Sequence, residues 1–381
     1  MSVLFMMPNW QEPSEVWMRR MLEELGNDLG TVIANDTKGA IRWRDSVRAV
    51  SLIPHSMYVR YSYKLINMLM PNYVSYARTT LLKEIKRTGI TQVLCNYGTF
   101  AVKFMDVWEK VDIPLYIHFH GWDATFDFRF HDQSDKRYFS DEYPLNILKL
   151  SERATIITNS QFTKSLLIDA GIPADRIYIK YYGVPVPPTC KTHNNQKEIN
   201  VLHLGRLVDF KSPDRTIKAF EIARSRGLRG KLIIAGDGPL RITCELLKKR
   251  SPYEDSIQIL GAVNAEYAKE LLRDADIYTQ HNVKGEISRQ SECFGVSVIE
   301  AMAVGLPVVG TRSGGVNETV LDGETGILLD PGDIEGQADA ICRLANDPGL
   351  RQKLGLAGHK RVSDNFSMEQ ETKVLRKIMQ L

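Results

Sequence analysis

No apolar run in the 381-residue chain approaches the 18 or so residues that a membrane-spanning helix needs. The opening residues, Met1 to Trp10, carry neither a basic stretch nor a small-residue cleavage site, which argues against a secretory signal. Cysteine is scarce and scattered: Cys95, Cys190, Cys244, Cys293 and Cys342 are odd in number and never spaced C-x-x-C. That points to reduced, structural thiols in the cytosol and away from a zinc site. Internal repeats and low-complexity segments are missing too. So is a uniform basic coat with interleaved aromatics, which leaves nucleic acid without a recognisable surface.

What is present is an ordinary globular composition, 43% hydrophobic and 25% charged, long enough for two domains. The net charge of +3 is unevenly spread. Residues 37–104 hold eleven Lys or Arg against two acids, Asp45 and Glu84, whereas residues 105–150 hold nine acids against five bases. Within the basic block, the segment 57–87 interleaves Tyr58, Tyr61, Leu65, Ile66, Leu69 and Met70 with Arg60, Lys64, Arg78, Lys83 and Arg87. Two readings stand side by side: a peripheral membrane contact suited to a lipid-linked acceptor, or a helical pair with a solvated basic face.

Short β-branched runs alternate with helical patterns from end to end, the mark of parallel α/β architecture. Strands are expected at Ser2–Met6, Thr31–Ala34, Gln92–Cys95, Leu115–His120, Thr155–Thr158 and Ile177–Lys180. A helix is expected from Ser14, as N-cap, to Leu25, with Val16, Met18, Met21, Leu22 and Leu25 on one face. The Pro-rich, aperiodic stretch 184–198 reads as interdomain, with residues 187–198 as a flexible linker. A second strand series follows at Ile199–Leu204, Lys231–Ala235, Ile257–Leu260, Ile277–Gln280, Pro307–Gly310 and Gly326–Leu328. The domains are thus 1–186 and 199–364, with residues 365–381 a terminal helix (Val374, Leu375, Ile378 and Met379 on one side). Ligands of such pairs sit between the domains, outside the carboxyl ends of the strands.

The chemistry is densest in SECFGVSVIEAMAVGLPVVG, residues 291–310. Gly295 opens an apolar helix, and the amides of Phe294, Gly295 and Val296 with the helix dipole make a phosphate-sized site. Glu292 precedes that turn and Glu300 lies eight residues later. Arg206 and Lys211 flank a loop after the first strand of the second domain, where two cations favour a departing diphosphate. Gly236-Asp237-Gly238-Pro239 is a sharp turn at a strand end, without the third glycine of a dinucleotide fingerprint. In the first half, the strand of LYIHFHGWDAT (115–125) ends at His120, and His118 shares its face by period two. Asp274-Ala275-Asp276 falls where a helix gives way to a strand, a place where capping explains it better than a metal.

The E-x7-E pair, with HLGRLVDFKSPD (203–214), LIIAGDGPL (232–240) and TRSGGVNETVLDGETGILLDPGD (311–333), resembles family 4 of the retaining GT-B glycosyltransferases (glycosyl transferases group 1). The resemblance covers residues 200–335. It implies two Rossmann-like domains facing each other across a cleft, with a C-terminal helix crossing back to the first domain. It implies transfer of a hexose-type sugar, with retention, from a UDP- or GDP-linked donor to a hydroxyl of a glycan or lipid-linked acceptor, without metal or cofactor. By the same resemblance, Glu292 contacts the donor sugar, Glu300 holds the ribose hydroxyls, and Gly236, Asp237 and Gly238 lie near the nucleobase. H-G-x-D is similar to an element of polysaccharide-assembling members. It implies that His120 contacts the transferred sugar or orients the acceptor, with Asp123 as its acidic partner. Ser160, in an S-x-F pattern, is either an N-cap or an acceptor contact. Ser14 belongs to an S-E-x-[FW] start on the acceptor side.

Three departures stand out: no glycine-rich loop follows the first strand, Cys293 fills a position often held by glycine, and His281–Gln290 is expected to be a mobile segment, a candidate lid. The rival readings are a sugar-nucleotide epimerase and a non-catalytic sugar-nucleotide or glycan-binding protein. The location implied is cytoplasmic, at most peripheral on the inner face of a membrane.

Overall fold

The computed structural model describes residues 2–10, 15–44, 47–56, 58–59, 61–62, 76–87, 89–125, 142–195 and 198–381. Ser14 and residues 57, 60 and 63–75 of the expected amphipathic segment lie outside the described residues. The first sheet comprises β1 (Val3–Met7), β2 (Leu29–Ala34), β3 (Arg42–Arg44), β4 (Val47–Ser51), β5 (Gln92–Asn96), β6 (Leu115–Phe119), β7 (Thr155–Thr158) and β8 (Ile177–Ile179). Their order is β3-β4-β2-β1-β5-β6-β7-β8, parallel throughout except for β3, which pairs antiparallel with β4 at the edge. The second sheet comprises β9 (Ile199–Leu204), β10 (Gly230–Ala235), β11 (Ile257–Gly261), β12 (Ile277–Thr279), β13 (Val308–Thr311) and β14 (Gly326–Leu329). It is wholly parallel in the order β11-β10-β9-β12-β13-β14.

All the strands expected from the sequence are present, each end within two residues. β3 and β4 were not foreseen, because an Arg-Trp-Arg edge strand lacks the apolar face that marks a strand in sequence. In both sheets the strand order reverses direction, between β1 and β5 and between β9 and β12. These reversal points are where open α/β sheets gather ligands.

The helices are α1 (Val16–Leu25), α2 (Tyr76–Ile85), α3 (Gly98–Ala101), α4 (Met105–Trp108), α5 (Tyr143–Ser151), α6 (Gln161–Asp169), α7 (Pro213–Ser225), α8 (Arg241–Arg250), α9 (Ala265–Asp274), α10 (Val296–Ala303), α11 (Val316–Thr319), α12 (Ile334–Asn346), α13 (Pro348–Asn365) and α14 (Met368–Met379). α1 buries Met18, Met21, Leu22 and Leu25 in the first core, each worth about 1.5–3 kcal/mol. Among the described residues no helix is long and apolar enough to cross a membrane.

The chain passes between the halves twice, and the two passages are lashed together. Val184 donates its amide to the Phe366 carbonyl at 2.9 Å and pairs with Ser367. Gly183 can carry no side chain, since a Cβ would lie 2.7 Å from the Ser367 oxygen. Glu371 of α14 accepts the Gly183 amide at 2.6 Å and forms a buried ion pair with Lys180 at the end of β8. α14 then continues onto the first half, where Leu375 and Met379 join the core beside α1. The terminal helix thus crosses back, as the resemblance implies.

The stretch 187–195 is less free than its composition suggests. Lys191 donates to the Val304 carbonyl, His193 bonds the Gly305 carbonyl at 2.9 Å, and Arg351 holds the Asn194 carbonyl at 2.7 Å. Hydrogen bonds to the backbone of the second half, rather than side-chain periodicity, fix this stretch.

Candidate active site

The site is built at the β9/β12 reversal point. β9 delivers the chain into Gly205 and Arg206, and a short turn, Asp209–Lys211, brings Lys211 back over the strand end. Three glycines permit this packing. A Cβ on Gly236 would lie 1.8 Å from the Gly205 carbonyl, one on Gly238 would lie 2.6 Å from that of Leu207, and one on Gly205 would lie 2.9 Å from the Gln280 amide nitrogen. The G-D-G turn therefore fits flush against the G-R loop, and that contact explains both glycines independently of any nucleobase. Asp237 is spent locally, accepting from the Gly238 amide at 2.8 Å and pairing with Arg241 at 3.1 Å.

The segment before α10 brings Glu292 to the same point. Its carboxylate meets the Lys211 ammonium at 2.5 Å, with both side chains largely buried. Burial pushes the Glu292 carboxyl up, but Lys211, then Arg206, and the Phe294 amide outweigh it and hold the group below the ordinary range. Arg206 itself stays exposed, its guanidinium 5.8 Å from the Phe210 ring centre. Gly295 is left-handed at φ 87° and caps α10, so the first helical amides have no acceptor within the helix. Gly314 and Gly315 lie beneath: Cβ atoms there would come within 2.0 Å of the Glu292 and Cys293 carbonyls. The S-G-G motif is thus the floor that lets the Glu292 loop sit low, and the Gly315 amide ties it at 2.9 Å.

Asp209 anchors the loop that leads to Glu292. Its carboxylate accepts from the Ser288 amide at 2.7 Å, the Ser288 hydroxyl at 2.7 Å, the Ile287 amide at 3.0 Å and the Phe210 amide at 2.8 Å. Burial raises its pKa, and those donors bring it below the usual carboxylate value. The segment expected to be mobile, His281–Gln290, is pinned here, with Arg215 also pairing with Glu286 at 2.8 Å. A lone Asp inside G-R-x4-K gives no sequence signal for this, since its partners Ile287 and Ser288 lie 78 and 79 residues away.

The first half answers across the cleft. His120 follows β6, and its Nε2 lies 3.1 Å from Asn96 Oδ1 while its Nδ1 lies 2.5 Å from Tyr182 Oη. Asn96 uses its own amide N–H on the Met6 carbonyl, so Oδ1 accepts and His120 carries its proton on Nε2. Burial, and then Lys180, lower the His120 pKa well below the ordinary value, which keeps the ring neutral. Trp17 of α1 packs on the ring at 4.0 Å between centroids. Asp123 does not reach the cleft. It is fully buried and accepts three amides, from Gly98, His120 and Gly121, at 2.9–3.0 Å. It shapes the His120 turn rather than touching a ligand, and burial raises it to about 6.

Ser160 is likewise fully buried, and its hydroxyl caps α6 by accepting the Thr163 amide at 2.9 Å. The first two amides of α6, of Gln161 and Phe162, donate at 2.7 Å each to Glu318 of the second half. That carboxylate on a helix N-terminus ties the halves together. Gly121 closes the contact: at φ 124° it leaves just enough room for Cys293, whose Sγ would lie 2.4 Å from a Cβ there. Glu300, on α10, is held by Arg20 of α1 at 2.8 Å.

His118 packs against His120 at 4.1 Å, and no group of three His, Cys, Asp or Glu side chains that could hold a metal occurs among the described residues. In the D-x-D segment, Asp276 is buried, accepting the Asn200 amide at 2.9 Å and pairing with Lys191 at 3.4 Å.

Residues 190–361 match the family described as Glycosyl transferases group 1. The second half thus resembles a group 1 glycosyl transferase domain. Curated relatives agree: the N-acetyl-alpha-D-glucosaminyl L-malate synthase of Bacillus anthracis is 30% identical over 46% of this chain and 43% of its own. The GDP-mannose-dependent alpha-(1-6)-phosphatidylinositol monomannoside mannosyltransferase of Mycolicibacterium smegmatis is 32% identical over 44% of each chain. The matches span less than half the length of these relatives. In fold the likeness spans the whole chain: HepE of Anabaena, solved in complex with UDP, superposes over the whole of both chains with a TM-score of 0.77 at 18% identity. The architecture is GT-B, with the group 1 match in the second half and Lys211, Glu292, Gly295 and Glu300 inside it.

Proposed function

We propose that this chain is a retaining, metal-independent hexosyltransferase that moves a sugar from a UDP- or GDP-linked donor to a hydroxyl acceptor in glycan, polysaccharide or glycolipid assembly. The observation that carries the reading is the Lys211–Glu292 pair beside Arg206, at the amide-rich start of α10. A diphosphate there meets two cations and a helix N-terminus, so negative charge growing on the leaving group is stabilised more than in the ground state. Lys211 holds Glu292 ionised and oriented, so the carboxylate accepts from donor-sugar hydroxyls rather than attacking carbon.

His120 lies across the cleft with Nε2–H engaged by Asn96 and Nδ1 by Tyr182, so it positions a substrate hydroxyl by exchanging one of these partners for it. The proton of the acceptor leaves with the departing phosphate, on the same face as the incoming hydroxyl. Closure of the halves at Gly121–Cys293 excludes water and limits hydrolysis. HepE in complex with UDP and the relative named for GDP-mannose support a nucleoside diphosphate donor without choosing the base. The reading places the enzyme in the cytosol, at the inner face of a membrane when its acceptor is lipid-linked. Incubating a panel of nucleoside diphosphate sugars without acceptor tests it: slow release of nucleoside diphosphate from one donor, with no epimerised sugar nucleotide, is expected. A folded protein that leaves every donor unbound and intact contradicts it.

A further inference from the structure

Glu300 sits in the second half, yet the group that orients it belongs to the first. Arg20 Nη2 donates to Glu300 Oε1 at 2.8 Å, with the two side chains only 13% and 25% exposed. Its other terminal nitrogen reaches the Gly183 carbonyl at 3.5 Å, on the passage between the halves. Arg20 is not free to follow Glu300 elsewhere, because Met18, Met21 and Leu22 on either side of it in α1 are buried in the first core. One turn earlier on the helix, Trp17 packs on His120. α1 therefore presents one residue to each half of the site, spaced i, i+3 on a rigid support. No hydrogen bond among the described residues uses Glu300 Oε2.

We propose that Arg20 is a positioning residue for nucleotide recognition: it occupies Oε1, fixes the plane of the carboxylate and leaves Oε2 to accept from the ribose hydroxyls of a nucleoside diphosphate. This rests on the reading of Glu300 as the ribose residue. It makes the ribose grip of the second half depend on closure against the first, and by linkage the nucleotide draws the halves together. A ligand without ribose does not sense Arg20.

The test is calorimetric titration of the full chain with UDP, with GDP and with inorganic pyrophosphate. Proteins compared are wild type, Arg20→Ala, Arg20→Lys, Glu300→Ala and the double alanine variant, each checked for an unchanged melting temperature. Expected are a loss of about 10-fold for the preferred nucleoside diphosphate in Arg20→Ala, partial recovery in Arg20→Lys, and a double variant no weaker than Glu300→Ala. Pyrophosphate affinity stays unchanged. If Glu300→Ala weakens the nucleotide but Arg20→Ala does not, or tightens it, Arg20 is only a tie between halves and the proposal falls. If Glu300→Ala itself has no effect, the ribose reading fails first and takes the proposal with it.

Discussion

The Lys211 ammonium and the Glu292 carboxylate, 81 residues apart in sequence, meet at 2.5 Å at the carboxyl end of the second sheet. Each is largely buried, so removing one makes the charge of the other more costly to keep.

Removing the cation therefore has a signed consequence. In Lys211→Met the burial that pushes Glu292 up is no longer outweighed, and its pKa rises. Nucleoside diphosphate release should fall about 10²–10³-fold. The acid limb of its pH–rate profile should also move to higher pH. An unmoved limb in the residual activity would show that Glu292 ionisation does not depend on Lys211.

Gly121 and Cys293 meet across the cleft, with no room left for a side chain on Gly121. Gly121→Ala places a Cβ 2.4 Å from the sulfur at a backbone φ of 124°, with an expected cost of about 1–3 kcal/mol. Cys293→Gly added to it should recover the steric part but not the backbone strain. Thermal unfolding of the four proteins measures the coupling, and strict additivity would rule the contact out.

How much of this was legible beforehand depends on the kind of interaction. The strands and α14 were readable because apolar periodicity reports burial directly. Lys211, Glu292 and Glu300 were readable because their motifs keep fixed spacing. Asp123, expected on the acceptor side as the acidic partner of His120, faces three backbone amides, because a carboxylate in a turn looks the same in sequence whether it points in or out. Asp209, Arg20 and Glu318 were invisible because nothing beside them in the sequence announces partners that lie 79, 280 and 156–157 residues away.

Asp209 accepts the Ile287 and Ser288 amides and the Ser288 hydroxyl of the loop 285–290. Asp209→Ala should raise amide exchange at Ile287 and Ser288 by about 10-fold or more. Donor binding should weaken as the Glu292 approach loosens. Exchange at these two amides unchanged from wild type would mean that the Gly285–Gln290 turn holds itself.

The crossing of the halves carries a buried titratable group. Glu24 of α1 is raised to about 8, first by burial and then by Glu371, against the pull of Lys180, a Thr372 hydrogen bond and Arg20. A raised carboxyl stabilises the fold fully below its unfolded value near 4.5, and that contribution is lost as pH rises through about 8. Glu24→Gln should flatten the fall in melting temperature between about pH 5 and 8 and be the more stable protein at the upper end. An equal slope in both proteins would place the titration elsewhere.

The donor site itself is tested most directly by titrating UDP and GDP into the wild-type chain and into Lys211→Ala at the same pH and salt. One of the two nucleotides should bind the wild type, and its affinity should drop at least about 10-fold in a variant that remains folded. Binding of neither nucleotide, or equal binding to both proteins, would contradict a diphosphate site at Lys211 and Glu292.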